Sequence, residues 1–126
     1  MSQLNNKHWL FPICNADEIT DLDSRELVVY QEGRPYFGFV VKKNQEFYAY
    51  ANSCPHQGRM LQWKPDTFLT RDLSKIMCAA HGANFEIESG LCIAGPCLGQ
   101  RLKALDCCVI QGVLFLSFKA VTQELN

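Results

Sequence analysis

Two short segments carry residue types that bind metals: Cys54-Pro55-His56-Gln57-Gly58 and Cys78-Ala79-Ala80-His81-Gly82. Each sets a thiol first, an imidazole just downstream and then a glycine, with 21 residues (57–77) between His56 and Cys78. Two thiolates and two imidazoles are donors that suit zinc or iron. They are enough for one four-ligand site or one dinuclear site.

The spacing bears on that choice. Proline in the middle of Cys54-Pro55-His56 fixes its own φ and biases Cys54 towards extended geometry. Side chains at i and i+2 of an extended segment point the same way, which suits delivery of two donors to two adjacent metal atoms. Structural zinc sites usually space their paired ligands by two to four residues. The glycine of each segment leaves the backbone free to fold over a bulky group. Zinc on the same four residues stays open as the competing reading. Unrelated buried thiols with surface imidazoles would not explain the repeated order, and nothing in the chain suggests the oxyanion hole or orienting carboxylate of a Cys–His nucleophile.

The elements that position these segments are short. β-prone runs recur at Trp9–Cys14, Glu26–Gln31, Tyr36–Lys42, Phe47–Ala51, Lys75–Cys78, Ala83–Ile87, Cys107–Ile110 and Val113–Lys119. Glu32-Gly33, Lys43-Asn44, Ser89-Gly90 and Gln111-Gly112 punctuate them as hairpin turns. Runs of four to seven residues favour strands over helices. Ala16–Leu22 is the one helical candidate. An all-β antiparallel sandwich or small barrel is expected, interrupted at 52–63, at 78–82 and at the loop Gly95-Pro96-Cys97-Leu98-Gly99.

With 126 residues, the chain is expected to form one domain, 1–126. An apolar share of 48% against 20% charged places it among globular proteins, able to build a core without disulfide staples. Formal net charge is −1 with no block of like charge, so neither nucleic acid nor an anionic membrane is expected as a partner. No apolar stretch approaches the ~20 residues of a membrane span, and no signal peptide is read. The seven cysteines, an odd count, suggest free thiols and metal ligands in a reducing compartment, with the cytoplasm expected. Cys14, Cys107 and Cys108 sit in strand-like runs and are expected as small buried hydrophobes. Cys92 and Cys97 flank Gly95-Pro96, where packing is the expected role. His8 is expected at the surface or as a cap.

The paired loops resemble the Rieske fingerprint, in which two Cys bind the inner iron and two His the outer iron of a [2Fe–2S] cluster. His81-Gly82-Ala83-Asn84-Phe85, then Ser89-Gly90, then Gly95-Pro96 is similar to the continuation of that family. The resemblance covers about Glu26 to Phe118. It implies Cys54, His56, Cys78 and His81 as ligands of one cluster, with a cluster-binding part at about 52–98 made of two loops and a Gly-Pro loop that covers the cluster. High-potential relatives carry two further loop cysteines and a serine, where this chain has Arg59, Ala80 and Ala83. The match is therefore to the soluble, low-potential branch.

That branch implies a one-electron carrier, a ferredoxin component between a flavin-dependent reductase and a terminal oxygenase or reductase. The alternatives are a fixed small subunit of a nitrite-reductase-like complex and a zinc-stabilised interaction module. The chain is not expected to be an enzyme alone. Of its three histidines only His8 would remain for a mononuclear iron of the two-His, one-carboxylate type. It also lacks a nucleotide-binding glycine fingerprint.

Overall fold

The computed structural model describes residues 8–119. Nine strands appear there: β1 (His8–Asn15), β2 (Asp23–Gln31), β3 (Arg34–Lys43), β4 (Glu46–Ala51), β5 (Ile76–Met77), β6 (Asn84–Phe85), β7 (Cys92–Ala94), β8 (Ala104–Ile110) and β9 (Val113–Lys119). They form a six-stranded antiparallel sheet, ordered β1-β9-β8-β4-β3-β2, and a three-stranded sheet, ordered β5-β6-β7. The larger sheet curls into a nearly closed barrel.

Two-residue turns set the hairpin registers. Glu32 and Gly33 (φ 52° and 79°) join β2 to β3, and Gln111 and Gly112 (φ 49° and 80°) join β8 to β9. Positive φ at both central residues matches the twist of the flanking strands. The β3–β4 turn lies at Asn44 and Gln45 (φ 53° and 68°), one residue beyond the expected Lys43-Asn44, because Lys43 pairs with Glu46 in the ladder. The helical candidate Ala16–Leu22 shrinks to one 3₁₀ turn, Ala16–Glu18. Strand β7 was not expected from the sequence.

Two cores lie on opposite faces of β3 and β4. Val40 and Ala49 point into the barrel with Ile19, Leu27, Val29, Leu105, Leu114 and Leu116. Phe39, Val41 and Tyr50 point the other way, into a second core shared with residues of the 52–103 insertion. Burial on both faces accounts for the unbroken apolar run Phe39-Val40-Val41, as in strands covered on both sides. The insertion leaves at the end of β4 and returns at the start of β8, and Ala51 N–H donates to the Lys103 carbonyl (2.9 Å) at its neck.

Candidate functional site

The two metal-binding segments fold alike. In the first, Cys54 N–H donates to the Arg59 carbonyl (2.8 Å) and Gly58 N–H to the Cys54 carbonyl (2.7 Å). In the second, Cys78 N–H donates to the Ala83 carbonyl and Gly82 N–H to the Cys78 carbonyl, both at 2.8 Å. Each loop thus closes between a cysteine and the residue five further on. Gly58 and Gly82 both take φ 72°, a left-handed conformation that side chains rarely adopt. A further bond, Ala79 N–H to the Leu61 carbonyl (2.9 Å), ties one loop to the other.

This shared backbone sorts the donors into two layers. Cys54 and Cys78 are buried, at 2% and 0% exposure, whereas His56 and His81 are exposed. The imidazole rings meet edge to face, with centroids 4.9 Å apart and planes at 83°. Burial raises the Cys78 thiol above its ordinary pKa; backbone N–H groups of Ala80 and His81 act against the rise, and the adjacent Cys54 thiol adds to it. Among the described residues, no three His, Cys, Asp or Glu side chains are arranged to hold a single metal ion.

Asn52 and the barrel strand β2 anchor the chain between Cys54 and Cys78. Asn52, only 6% exposed, accepts from Leu61 N–H (2.8 Å) and donates to Gln62 Oε1 (2.8 Å). Ser24 on β2 donates to the Asp66 carbonyl (2.8 Å) and accepts from Phe68 N–H (3.3 Å), and Glu26 N–H donates to Asp66 Oδ1 (2.9 Å). The loop between Cys54 and Cys78 is therefore fastened to the sheet edge as well as to itself.

The Gly-Pro loop presses on the second segment. A Cβ on Gly95 would lie 2.7 Å from Ala83 Cα, and its φ of +104° is itself strained for other residues. Gly95→Ala should destabilise the protein by at least about 2 kcal/mol, from backbone strain and overpacking together. Gly99→Ala is the control, since its φ is +89° but nothing stands within 4 Å of its Cβ. Urea denaturation of both variants checks this. Equal losses would mean that the close approach to Ala83 has no energetic consequence.

All four expected site residues come together, and two more thiols join them. Cys92 and Cys97 are buried (1% and 0%), and the Cys97 thiol donates to Cys92 Sγ at 3.3 Å. Both belong to the core that contains Cys54 and Cys78, so they pack as expected and also border the site. The sequence hint was their position on either side of Gly95-Pro96. Cys14 and Cys107 are partly buried against the barrel core. Cys108 is exposed, contrary to expectation, because it lies on the outward face of β8. The side chain of His8 lies outside the described residues.

A family model described as Rieske [2Fe-2S] domain matches residues 9–113. Solved structures agree in fold. The ferredoxin of carbazole 1,9a-dioxygenase from Nocardioides aromaticivorans IC177 aligns at 20% identity and a TM-score of 0.63, over 84% of this chain and 96% of that one. A chain of the reduced complex between oxygenase and ferredoxin in carbazole 1,9a-dioxygenase aligns at 21% identity and 0.72, over 90% of this chain and 29% of that one. The terminal oxygenase from Novosphingobium sp. KA1 gives 19% and 0.67, over 90% and 31%. The present chain thus spans about three tenths of the oxygenase chain and of the chain from the complex. No curated protein matches it. The [2Fe–2S] cluster of that family takes two thiolates and two imidazoles, and the two thiols and two imidazoles described above fit that group. The chain belongs to the Rieske [2Fe-2S] domain family.

Proposed function

We propose that Cys54 and Cys78 hold the inner iron and His56 and His81 the outer iron of the cluster, and that the protein carries single electrons. On this reading the chain is a single domain, 1–126, with its cluster-binding part at about 52–98. The observation that carries the reading is the pair of like-folded loops, thiols inside and imidazoles outside with rings 4.9 Å apart. When bound, the cluster accepts and donates one electron at a time. The chain's own residues supply the rest. Backbone N–H groups of Ala80 and His81 favour the charged form of the Cys78 thiol. The imidazoles stand at the surface, where a partner can approach the outer iron closely. Met60, on the His56 loop, and Leu98, in the Gly-Pro loop, are exposed apolar side chains (45% and 67%) suited to a short-lived protein contact.

The partners that fit are a flavin-dependent reductase as donor and a terminal oxygenase or reductase as acceptor. In support, the similar structures include ferredoxins in complex with an oxygenase. No helix among the described residues is long and apolar enough to cross a membrane, and the cytoplasm is the compartment proposed.

The purified protein should be red-brown, hold about two irons and two sulfides, and give a rhombic electron paramagnetic signal on reduction. Reconstitution with iron and sulfide should restore that signal to poorly loaded protein. A colourless protein with one stoichiometric zinc would overturn the reading in favour of an interaction module. Stable co-purification with a reductase complex would instead identify a fixed subunit rather than a shuttle.

A further inference from the structure

Outside its hairpin turns, the described chain takes left-handed backbone at three residues other than glycine: Leu22, Asp66 and Leu73 (φ 60°, 59° and 63°). Two of these are leucines, which lack the short polar side chain that eases that conformation in Asn or Asp. All three line one open cavity of about 350 Å³. That volume falls in the lower part of the ~300–1,000 Å³ range of small-molecule pockets. Three turns frame the cavity, each closed by backbone. Leu22 N–H donates to the Lys42 carbonyl (2.6 Å), Thr67 N–H to the Lys64 carbonyl (3.0 Å) and Leu73 N–H to the Thr70 carbonyl (2.9 Å). The walls are therefore set before anything enters, and the backbone strain outside the hairpins gathers on them.

The lining pairs apolar surface with unmatched charge. Leu22, Leu69, Leu73 and Trp63 supply the apolar part, and Trp63 (43%) and Leu73 (42%) stay open to solvent. Lys64 and Arg71 supply two cations, and neither belongs to an ion pair among the described residues. Lys64 Nζ stands over the Trp63 ring, 5.0 Å from its centroid, so charge and apolar wall adjoin. The two acids of the lining are each engaged by backbone: Asp23 Oδ1 accepts from Ser24 N–H and Asp66 Oδ1 from Glu26 N–H, both at 2.9 Å. We propose that this cavity binds a small carboxylate with an apolar body, its charge held by Lys64 and Arg71 and its body against Leu22, Trp63 and Leu73. A guanidinium fork matches carboxylate oxygens. One negative charge suits the site better than the two of a phosphate, since repulsion from Asp23 and Asp66 grows with charge. None of these residues is a proposed iron ligand, so the site stands apart from the cluster reading.

Calorimetric titration of the cluster-loaded protein with sodium benzoate, benzyl alcohol and sodium acetate separates charge from apolar contact. Benzoate should bind once per chain with a dissociation constant of about 1 mM or tighter. Benzyl alcohol keeps the ring without the charge, and acetate the charge without the ring. Each should bind at least about tenfold more weakly. Lys64→Ala and Arg71→Ala should each weaken benzoate about tenfold. Arg34→Ala, beside the β2–β3 turn, should leave it unchanged. Leu73→Gly should keep its turn, because glycine takes φ 63° freely, and weaken benzoate about threefold through the lost wall. No saturation by about 10 mM benzoate overturns the proposal. Acetate as tight as benzoate would mean surface charge alone, and benzyl alcohol as tight would mean an apolar cavity without an anion site; either overturns it. Unchanged affinity in Lys64→Ala or Arg71→Ala overturns it too. Should those variants fail to fold, the order of the three probes on wild type decides: benzoate tightest supports the proposal, and any other order overturns it.

Discussion

Cys78→Ala should yield a colourless protein without iron or a paramagnetic signal, while its far-ultraviolet circular dichroism stays close to wild type. The substitution removes one of the two buried thiols proposed as ligands, the one whose charged form the backbone N–H groups of Ala80 and His81 favour. Alanine offers no donor atom, so one coordination position at the inner iron would be empty. The barrel core of Ile19, Leu27, Val29, Val40, Ala49, Leu105, Leu114 and Leu116 contains no residue of the insertion and should persist. Cys108→Ser is the control: that side chain is exposed on β8, and its loss should leave iron content unchanged. Iron, sulfide and spectra of the two variants decide the matter. A full rhombic signal in Cys78→Ala, or its loss in Cys108→Ser, would remove the ligand assignment.

The hairpins were legible because their chemistry is local. Glu32-Gly33 and Gln111-Gly112 lie where left-handed backbone is needed, and the runs on either side pair across them. The like folding of the two loops that carry the proposed ligands was legible for the same reason, since each closes within six residues. What escaped depended on distant partners. Strand β7 is three residues long and exists through its pairing with Asn84 and Phe85 across an irregular register. Phe68 and Leu69 are fully or nearly buried yet lie outside every named strand, because the insertion packs them against the back of the sheet. The approach of Cys97 to Cys92, at 3.3 Å between the sulfurs, needs the Gly95 turn and its seat on Ala83, and no spacing rule encodes that pair of contacts. Cys108 was misplaced because Cys107-Cys108-Val109-Ile110 is apolar at both alternating positions, so the exposed Asp106, two residues before Cys108, was the one signal of which face turns outward.

Phe68→Ala should cost about 3 to 5 kcal/mol of unfolding free energy, a large part of the ~5–15 kcal/mol that holds a domain of this size. Phe68 sits in the insertion and Phe39 on β3, both at 0% exposure, with rings stacked at 4.3 Å and 6°. Phe39 also meets Tyr50 at 5.8 Å, so the stack belongs to the core that joins the barrel to the loops around Cys54 and Cys78. The backbone of Phe68 is equally engaged: its N–H donates to Ser24 Oγ (3.3 Å) and its carbonyl accepts from Met77 N–H (2.9 Å), one residue before Cys78. Truncation therefore leaves a cavity that the fastened backbone cannot close by collapse. Phe39→Ala should cost a similar amount, and the double variant less than the sum, since each single change already breaks the stack. Phe37→Ala is the comparison, because that ring is 42% exposed and its loss should cost far less. Urea unfolding of the four variants and wild type, each with equal cluster loading, gives all the values needed. A loss below ~1 kcal/mol in Phe68→Ala, or full additivity with Phe39→Ala, would show that the stack does not hold the insertion to the barrel.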